Sequence, residues 1–369
     1  MSAASSGTEP RIVVVGAGAI GCATAIHLQA AGHAPMLWSA SGRRFGPSPA
    51  RVALQVRGGR PRAAHLDLTT DAAAVHAADI IIVCLPGDAY APVLGRLAPH
   101  WRDGQRVIVS GALSLSPLWL HEQARRRGQR IAAIGWATTA TTAHFLADGS
   151  LHMNPLRERI DVAAAGTDPQ TAQTLCASLL GDRFVAADNL LAITLANINP
   201  IAHAAEVLPN LSRMDLGERW PLFGCFTGVV ARLAERLDEE RLALACAFGF
   251  ALPTLAQHYA RSYGLAPDAL ERMAAGIEAR GMGPLGPSRL AHRYVLEDVP
   301  YGMVFQEALA RSAGVPSPVL SSCIELLSAC YTRDFRAEAW LVRELGVDGA
   351  DAGALYKRCA ASRSAVSPR

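Results

Sequence analysis

The stretch RIVVVGAGAIG, residues 11–21, decides the first half of the fold. The apolar run at residues 12–15 predicts a buried strand, and a helical pattern follows over residues 19–31 before Gly32. Between them lies a match to G-x-G-x-x-G: Gly16, Ala17, Gly18, Ala19, Ile20 and Gly21. Its glycines permit a tight turn, close approach of a pyrophosphate to the helix N-terminus, and close packing of the helix on the sheet. The motif therefore predicts that these six residues bind a dinucleotide.

Outward from this unit, short apolar runs alternate with helical patterns, which is typical of a doubly wound parallel sheet. After about residue 188, long helical patterns follow one another with few strand-like runs. The sequence therefore predicts an α/β N-terminal Rossmann domain with a doubly wound parallel sheet, and an all-α C-terminal domain. The predicted divisions are a disordered tail at 1–10, the dinucleotide-binding domain at 11–187, a helical substrate domain at 188–355 and a disordered tail at 356–369.

The segment after the second predicted strand, residues 35–39, bears on which dinucleotide binds. NAD sites usually place Asp or Glu there for the ribose 2′-hydroxyl, but no acidic residue occurs between Glu9 and Asp67. The segment offers instead Ser39, Ser41, Arg43 and Arg44. Arginine makes charge-assisted contacts to phosphate, so these four residues predict a preference for NADP(H), with NAD(H) left open. The alternative is that the arginines form only a solvated turn.

A third predicted strand, residues 79–85, ends at the sheet edge that faces the dinucleotide in such folds. Leu85 and Pro86 stand at that end and are predicted to give backbone contacts to the cofactor.

Composition excludes several other classes of function. The net charge of +3 makes no case for nucleic acid as a partner. The most apolar window, residues 242–256, is shorter than the roughly 20 residues that span a bilayer, so it predicts a buried helix and no membrane partner. The eight cysteines form no C-x-x-C pair, which favours free thiols in the cytoplasm and no metal site. A homodimer through the helical domain is the expected assembly.

Lysine is almost missing: of 35 Lys and Arg residues, the sole lysine is Lys357, near the C-terminus. A mechanism that needs an amine side chain in the central region therefore has no candidate. Histidine is the natural substitute for proton transfer, because its ordinary pKa lies near neutrality. Among the histidines, His203 has a distinctive setting on the first long helix after the α/β domain, where a cleft between domains is expected. Asn199 shares its helix face.

Two segments of the C-terminal half resemble the opine dehydrogenase family, which includes octopine and nopaline dehydrogenases. One is the N-x-x-x-H-x-x-x-x-x-x-N pattern of Asn199, His203 and Asn210; the other is RYVLEDVPYG at residues 293–302, followed by GVPSP at 314–318. The similarity covers nearly the whole chain after residue 10. It implies a Rossmann domain, a helical second domain, and a catalytic His–Asp pair formed here by His203 and Asp298.

The resemblance also implies a reaction: reductive condensation of an α-keto acid with the amine of an amino acid to give an N-(carboxyalkyl)amino acid. His203 is expected to act as general acid and base, oriented by Asp298. Asn199 is expected to orient the keto acid or the cofactor carboxamide, and Arg293 to bind a substrate carboxylate. Tyr301 is a further polar candidate.

Three alternatives or departures remain open. A ketopantoate or β-hydroxyacid reductase has the same fold, but it predicts a central lysine that this sequence does not supply. A non-catalytic dinucleotide-sensing protein predicts loss of His203 or Asp298, and both are present. The segment 138–154 carries His144 and His152 where an arginine-bearing stretch is expected, which leaves the amine pocket undefined.

Overall fold

The computed structural model describes residues 9–45, 50–60 and 62–360, and no side chain of Arg43. The chain forms two compact units: the described residues up to Ile193 with Cys359 and Ala360, and Thr194–Arg358. This division lies within the helix Leu190–Ala196, a few residues after the predicted boundary. Most of the predicted tail at 1–10 lies outside the described residues.

The first unit is built on one sheet, in which eleven strands are described. They are β1 Ile12–Val15, β2 Met36–Trp38, β3 Arg51–Arg57, β4 Arg62–Thr69, β5 Ile80–Val83, β6 Arg106–Val109, β7 Ala132–Trp136, β8 Ala143–Phe145, β9 Leu151–Met153, β10 Ile160–Ala165 and β11 Phe184–Ala186. Their order is β11-β10-β7-β6-β5-β1-β2-β4-β3-β9-β8. The helices are α1 Ala19–Ala30, α2 Ala73–Ala77, α3 Gly95–Leu97, α4 Ser116–Arg126, α5 Pro169–Leu180 and α6 Leu190–Ala196, which crosses into the second unit.

The Rossmann part of the sheet runs from β4 to β7, where every neighbouring pair is parallel. All four residues of β1 and of β5 are buried, as expected for strands covered by helices on both faces. Val15 at the end of β1 lies opposite both Trp38 and Val83. The chain leaves β1 at the switch point of the sheet, which is where doubly wound folds bind ligands.

Both edges of the sheet depart from the expected parallel arrangement. β10 pairs antiparallel with β7, β3 with β4, and β8 with β9. The strands β3 and β4 were not predicted, although RVALQVR at Arg51–Arg57 alternates exposed and buried residues. Such alternation is the pattern of an antiparallel strand with one covered face.

The second unit is helical. Its helices are α7 Asn199–Val207, α8 Leu211–Asp215, α9 Gly228–Ala247, α10 Leu255–Tyr263, α11 Leu270–Ala279, α12 Arg293–Leu296, α13 Val304–Ala313, α14 Pro318–Tyr331, α15 Phe335–Glu338, α16 Trp340–Glu344 and α17 Ala352–Cys359. A π-helical turn, Val299–Met303, precedes α13.

The predicted buried helix at 242–256 is wrong, because α9 ends at Ala247 and α10 starts at Leu255. Gly249, with φ +81°, follows the C-cap of α9 and ends the helix, and the buried pair Asp238–Arg241 bonds to the segment beyond it. Asp238 accepts a hydrogen bond from the N–H of Leu255 at 2.7 Å, and Arg241 donates to the main-chain oxygen of Pro253 at 2.8 Å. These tertiary bonds take the place of helical ones between the two segments.

Two further segments concern the predictions of no membrane partner and of a disordered C-terminal tail. Among the described residues, Leu190–Asp215 is the one run apolar and long enough to cross a membrane by composition, but 72% of its most apolar window is buried, as in a core helix. Residues 356–359, predicted to belong to a disordered tail, form the last turn of α17 instead. Leu355 and Cys359 are buried there and share one helix face.

Candidate active site

The glycine-rich turn after β1 has a backbone that only glycine accommodates at two positions. Gly16 has φ +115°, and its N–H donates to the main-chain oxygen of Trp38 at 2.9 Å. A Cβ atom at Gly16 would lie 2.4 Å from the main-chain oxygen of Cys84, and one at Gly21 would lie 1.8 Å from that of Gly16. Side chains there would force the turn away from β5 and α1 away from the turn.

Gly18 is different, because a Cβ atom there would meet no atom of the described residues within 4 Å. This residue is the N-cap of α1, and no side chain caps the helix. The first N–H groups of α1 and its positive dipole end therefore face open space beside Ala17, Ala19 and Ile20, which are partly exposed. This arrangement fits a pyrophosphate, which needs close backbone approach and N–H donors. Leu85 and Pro86 follow β5 beside it, and Leu85 contacts the Cβ position of Gly16 at 3.1 Å.

The turn after β2 holds the residues predicted to bind the ribose end of the cofactor. The Ser39 hydroxyl accepts a hydrogen bond from the N–H of Gly42 at 3.1 Å, which fixes the turn. Ser41 is exposed. The exposed Arg44 places its guanidinium 4.4 Å from the ring centroid of Phe145, on β8. The prediction for the side chain of Arg43 lies outside the described part of the chain. The turn therefore presents two serine hydroxyl groups and the guanidinium of Arg44.

His203 and Asp298 lie together in the second unit although 95 residues separate them in sequence. Nδ1 of His203, on α7, is 2.6 Å from Oδ2 of Asp298. The side chains are 13% and 2% exposed. Asp298 directly precedes the π-helical turn, but its side chain does not cap that turn. The carboxylate can therefore accept a hydrogen bond from the Nδ1–H group, which leaves Nε2 as the nitrogen that exchanges protons.

Local sequence explains how these two segments meet. Asn197 accepts a hydrogen bond from the N–H of Asn199 at 3.1 Å, and Pro200 stands in the first turn of α7. Gly302, in the π-helical turn, packs directly on Pro200: a Cβ atom at Gly302 would lie 2.3 Å from Cγ of the proline. The missing side chain lets the turn after Asp298 approach α7 closely.

Two aromatic residues next to the pair were not assigned from the sequence. The Tyr294 ring stacks on the imidazole of His203, with centroids 3.5 Å apart and 10° between the planes. His292 meets Tyr294 edge-on at 4.5 Å. Burial, the charge of His203 and neighbouring arginines lower the pKa of His292 to about 4, so it remains neutral near pH 7. Burial raises the pKa of Tyr294 well above its ordinary value, so it is neutral too.

The other residues predicted for the substrate differ in setting. Asn199 is partly exposed, one helical turn before His203. Arg293 is exposed and lies 3.6 Å from a carboxylate oxygen of Glu297, so part of its charge is offset. Tyr301 is buried in the π-helical turn at 8% exposure. Asn210 closes the end of α7, where its amide donates to the main-chain oxygen of Glu206 at 2.8 Å.

Residues 138–154, where the family resemblance led us to expect an arginine-bearing stretch, contain the hairpin of β8 and β9, which was not predicted. His144 and His152 face each other across this pair, and their rings stack with centroids 4.9 Å apart. They belong to the first unit, together with Phe145. The hairpin lies beside Arg44, because Phe145 on β8 contacts the guanidinium of that residue. Among the described residues, the two histidines belong to no group of three or more His, Cys, Asp or Glu side chains that could hold a metal ion.

Comparisons with known proteins match the two units separately. The family model "NAD/NADP octopine/nopaline dehydrogenase, alpha-helical domain" matches residues 186–331. The model "Ketopantoate reductase PanE/ApbA" matches residues 12–110.

Similar proteins span nearly the whole chain. The opine dehydrogenase of Arthrobacter sp. (strain 1C) is 29% identical over 351 residues, which cover 93% of this chain and 96% of that protein. Octopine dehydrogenase in complex with NADH and agmatine has a TM-score of 0.72 at 14% identity, covering 94% of this chain and 95% of its own. Yersinopine dehydrogenase with NADP+ bound has a TM-score of 0.65 at 14% identity, covering 95% and 97%. These two structures establish likeness of fold.

Proposed function

We infer that this chain, which belongs to the opine dehydrogenase family of nicotinamide-dependent oxidoreductases, joins an α-keto acid to the amine of an amino acid. The product is an N-(carboxyalkyl)amino acid. The observation that carries the proposal is the 2.6 Å contact between Nδ1 of His203 and Oδ2 of Asp298, within the helical unit that matches the family model. This pair supplies a proton-transfer group in a region of the sequence that contains no lysine.

The proposed reaction consumes one keto acid, one amine, one proton and one reduced dinucleotide, and it releases water and the oxidised cofactor. The amine nitrogen bonds to the ketone carbon, the former ketone oxygen leaves as water, and the bound dinucleotide supplies the hydride that reduces the resulting imine. Asp298 holds the Nδ1 proton of His203, so the Nε2–H of the imidazolium donates to the departing oxygen. The stacked ring of Tyr294 limits rotation of the imidazole.

Two residues, Arg293 and Asn199, are proposed to orient the substrates. Arg293 is exposed and its nearest carboxylate, on Glu297, is 3.6 Å away, so the guanidinium can still pair with a substrate carboxylate. Asn199 shares a helix face with His203 and offers both a donor and an acceptor. Tyr301 is buried, so we propose that its part is to support the turn after Asp298.

We propose NADP(H) as the preferred cofactor and the cytoplasm as the location. The support for NADP(H) is the turn after β2, where Arg44 is held over Phe145, and the lack of any acidic residue between Glu9 and Asp67. A guanidinium already fixed on an aromatic ring loses less freedom when it binds a phosphate. Among relatives, one solved structure holds NADH and another NADP+, so fold alone does not decide the preference.

A second candidate is a ketopantoate-type reductase, which the match over residues 12–110 favours. That match covers the dinucleotide-binding part of the chain. The sole lysine, Lys357, is exposed on α17. This candidate predicts reduction of a ketone without any amine.

The test measures oxidation of NADPH and of NADH with pyruvate, oxaloacetate, 2-oxoglutarate or glyoxylate, each with and without a panel of amino acids and other amines. Turnover that needs both substrates, with mass spectrometry showing a secondary amine product, supports the proposal. Deuterium transfer from 4-deuterated NADPH to the new C–H bond confirms hydride transfer. Equal turnover without any amine would establish a ketone reductase instead. In the same assay, His203→Asn should lose turnover, whereas the control variant His258→Asn, on α10, should keep it.

A further inference from the structure

A second acidic side chain lies beside the His203–Asp298 pair, and the proposed reaction has not used it. Glu206 is on α7, three residues after His203, a spacing that places both side chains on one helix face. It is 3% exposed. Its Oε1 atom accepts a hydrogen bond from the hydroxyl of Tyr259 at 3.3 Å, whereas its buried Oε2 atom has no hydrogen-bond partner among the described residues.

Among the described residues, this carboxyl group forms no ion pair with a cation of the elements packed around α7. In α9, Arg241 is buried and already bonded to Asp238. Arg232 and Arg236 on α9 and Arg261 on α10 are exposed, and His258 on α10 is partly exposed. The remaining titratable or charged groups on α10, α12, the π-helical turn and its flanks are Tyr259, Tyr263, His292, Arg293, Tyr294, Glu297, Asp298 and Tyr301. Arg293 is exposed and lies next to Glu297. The imidazole of His203 is therefore the group best placed to carry a compensating positive charge.

Electrostatics ties the two groups together. Burial raises the pKa of Glu206 to about 7, while the charge of His203 lowers it and that of Asp298 raises it. An isolated buried carboxylate is strongly disfavoured, and a protonated imidazole one turn away favours it. The reverse also holds: an ionised Glu206 favours the protonated form of His203. Two groups that interact in this way titrate as a pair.

We propose that Glu206 is a positioning residue for the proposed reaction, whose buried carboxylate, held by Tyr259, keeps a proton on His203. The inference rests on the proposed function for its catalytic meaning. His203 must carry a proton when the ketone oxygen departs, and Asp298 alone fixes the tautomer and supplies one negative charge. Glu206 adds a second negative charge without touching substrate. The ring of Tyr259 shields it from water, since that ring is buried against Phe223 and Phe226.

The first test needs no substrate. The imidazole of His203 is followed by ¹³C NMR across pH 5 to 9 in the full chain, with its signal assigned by its loss in His203→Asn. Glu206→Gln keeps the volume and the acceptor for Tyr259 but removes the charge. The titration midpoint of His203 is expected to fall by about one pH unit, the size of effect that the loss of one nearby negative charge has. Two coupled steps in the wild type should become one.

Two further variants keep the inference decisive. Tyr259→Phe leaves the carboxyl group but removes its donor, which disfavours the ionised form; it should shift the midpoint in the same direction by less. Glu240→Gln is the matched control, because Glu240 is also buried in the second unit and accepts from the N–H groups of Val319 and Leu320. It should leave the midpoint unchanged. A folded Glu206→Gln protein with a wild-type His203 titration overturns the inference.

Kinetics then separates this positioning part from a merely structural one. In the reductive direction, the loss of kcat at high pH should begin at lower pH in Glu206→Gln. In the oxidative direction, where His203 accepts a proton, kcat at low pH should rise above that of the wild type. A loss of kcat in both directions at every pH contradicts the inference. Absence of opine turnover in the wild type would overturn the proposed function. The NMR titration would still decide whether Glu206 favours the protonated form of His203.

Discussion

The glycine turn after β1 and the His203–Asp298 pair are built in opposite ways. In the first, the decisive residues lie within residues 16–21, and their contribution is the absence of side chains. In the second, two side chains from positions 95 residues apart meet at 2.6 Å. The first site is formed by backbone and leaves room for a ligand, whereas the second is formed by two side chains that already bond to each other.

This difference determines which kind of substitution harms each site. Added atoms damage the turn, because a Cβ atom at Gly16 or Gly21 would overlap main-chain oxygen atoms. Loss of the charge or of the imidazole harms the pair, because its proton transfer needs a carboxylate that fixes the tautomer and stabilises the imidazolium. The comparison predicts loss of folding or cofactor binding in one region and loss of chemistry at intact folding in the other.

The largest effect is expected at the pair. Asp298→Asn should lower kcat by about 10⁴, because an amide can stabilise the wrong tautomer of His203 and cannot stabilise its positive charge. His203→Asn should do at least as much harm. KM for the reduced cofactor should change little, since neither residue belongs to the dinucleotide turn. Steady-state kinetics with both coenzymes measures this.

Differential scanning calorimetry supplies the control, since both variants should unfold near the wild-type temperature. His258→Asn should keep kcat. If Asp298→Asn retained most of its activity, the pair would be structural and the contrast between the two regions would fail.

How far each region was predictable follows from the same contrast. The turn needed no tertiary information, since strand, glycines and helix are adjacent in sequence. The pair was identified by resemblance, because spacing alone does not tell which of many acids meets His203. Tyr294, Glu206 and Tyr259 were not assigned, since their meeting depends on how α7, α10 and α12 pack.

The edges of the sheet show a different kind of omission. The alternation in Arg51–Arg57 was a signal available in the sequence, whereas the three-residue strands β8 and β9 are too short to give one. The break between α9 and α10 was missed although Gly249, with φ +81°, and Pro253 lie in it, because the apolar run continues through both residues.

The next effect separates two glycines of the same turn. Gly16→Val should destabilise the first unit by about 3 kcal/mol or prevent folding, since the residue has φ +115° and no room beside Cys84. Gly18→Val should fold normally, because no atom in the described part of the chain lies within 4 Å of its Cβ position. Its KM for the reduced cofactor should rise about 100-fold if the pyrophosphate uses that space.

Calorimetry and cofactor titration by fluorescence distinguish the two variants. Equal thermal stability for both would show that the turn is not sterically fixed. Unchanged cofactor binding in Gly18→Val would move the pyrophosphate elsewhere.

A smaller effect tests whether the pair also depends on a missing side chain. Gly302→Ala should cost about 2 kcal/mol of stability, because its Cβ would lie 2.3 Å from the rigid ring of Pro200. The shift that relieves this overlap should also move Asp298 and reduce kcat. Gly276→Ala is the control, since this helical glycine meets only Cδ2 of Leu265 at 3.8 Å. It should be neutral or stabilising. Chemical denaturation and kcat measure both, and a Gly302→Ala protein as stable as the wild type contradicts the packing argument.

The smallest effect returns to the first unit, where one side chain is proposed to act at an otherwise backbone-built site. Arg44→Ala should raise KM for NADPH about tenfold, the size of about one charge-assisted hydrogen bond, and leave KM for NADH unchanged. Phe145→Leu should do the same more weakly, because it removes the ring 4.4 Å from the guanidinium and leaves the charge. Arg106→Ala is the control, since Arg106 is exposed at the opposite end of β6 from the cofactor edge. Equal changes for both coenzymes in Arg44→Ala would mean that Arg44 supports the hairpin of β8 and β9 and does not select the 2′-phosphate. The dinucleotide site would then rest on its backbone alone.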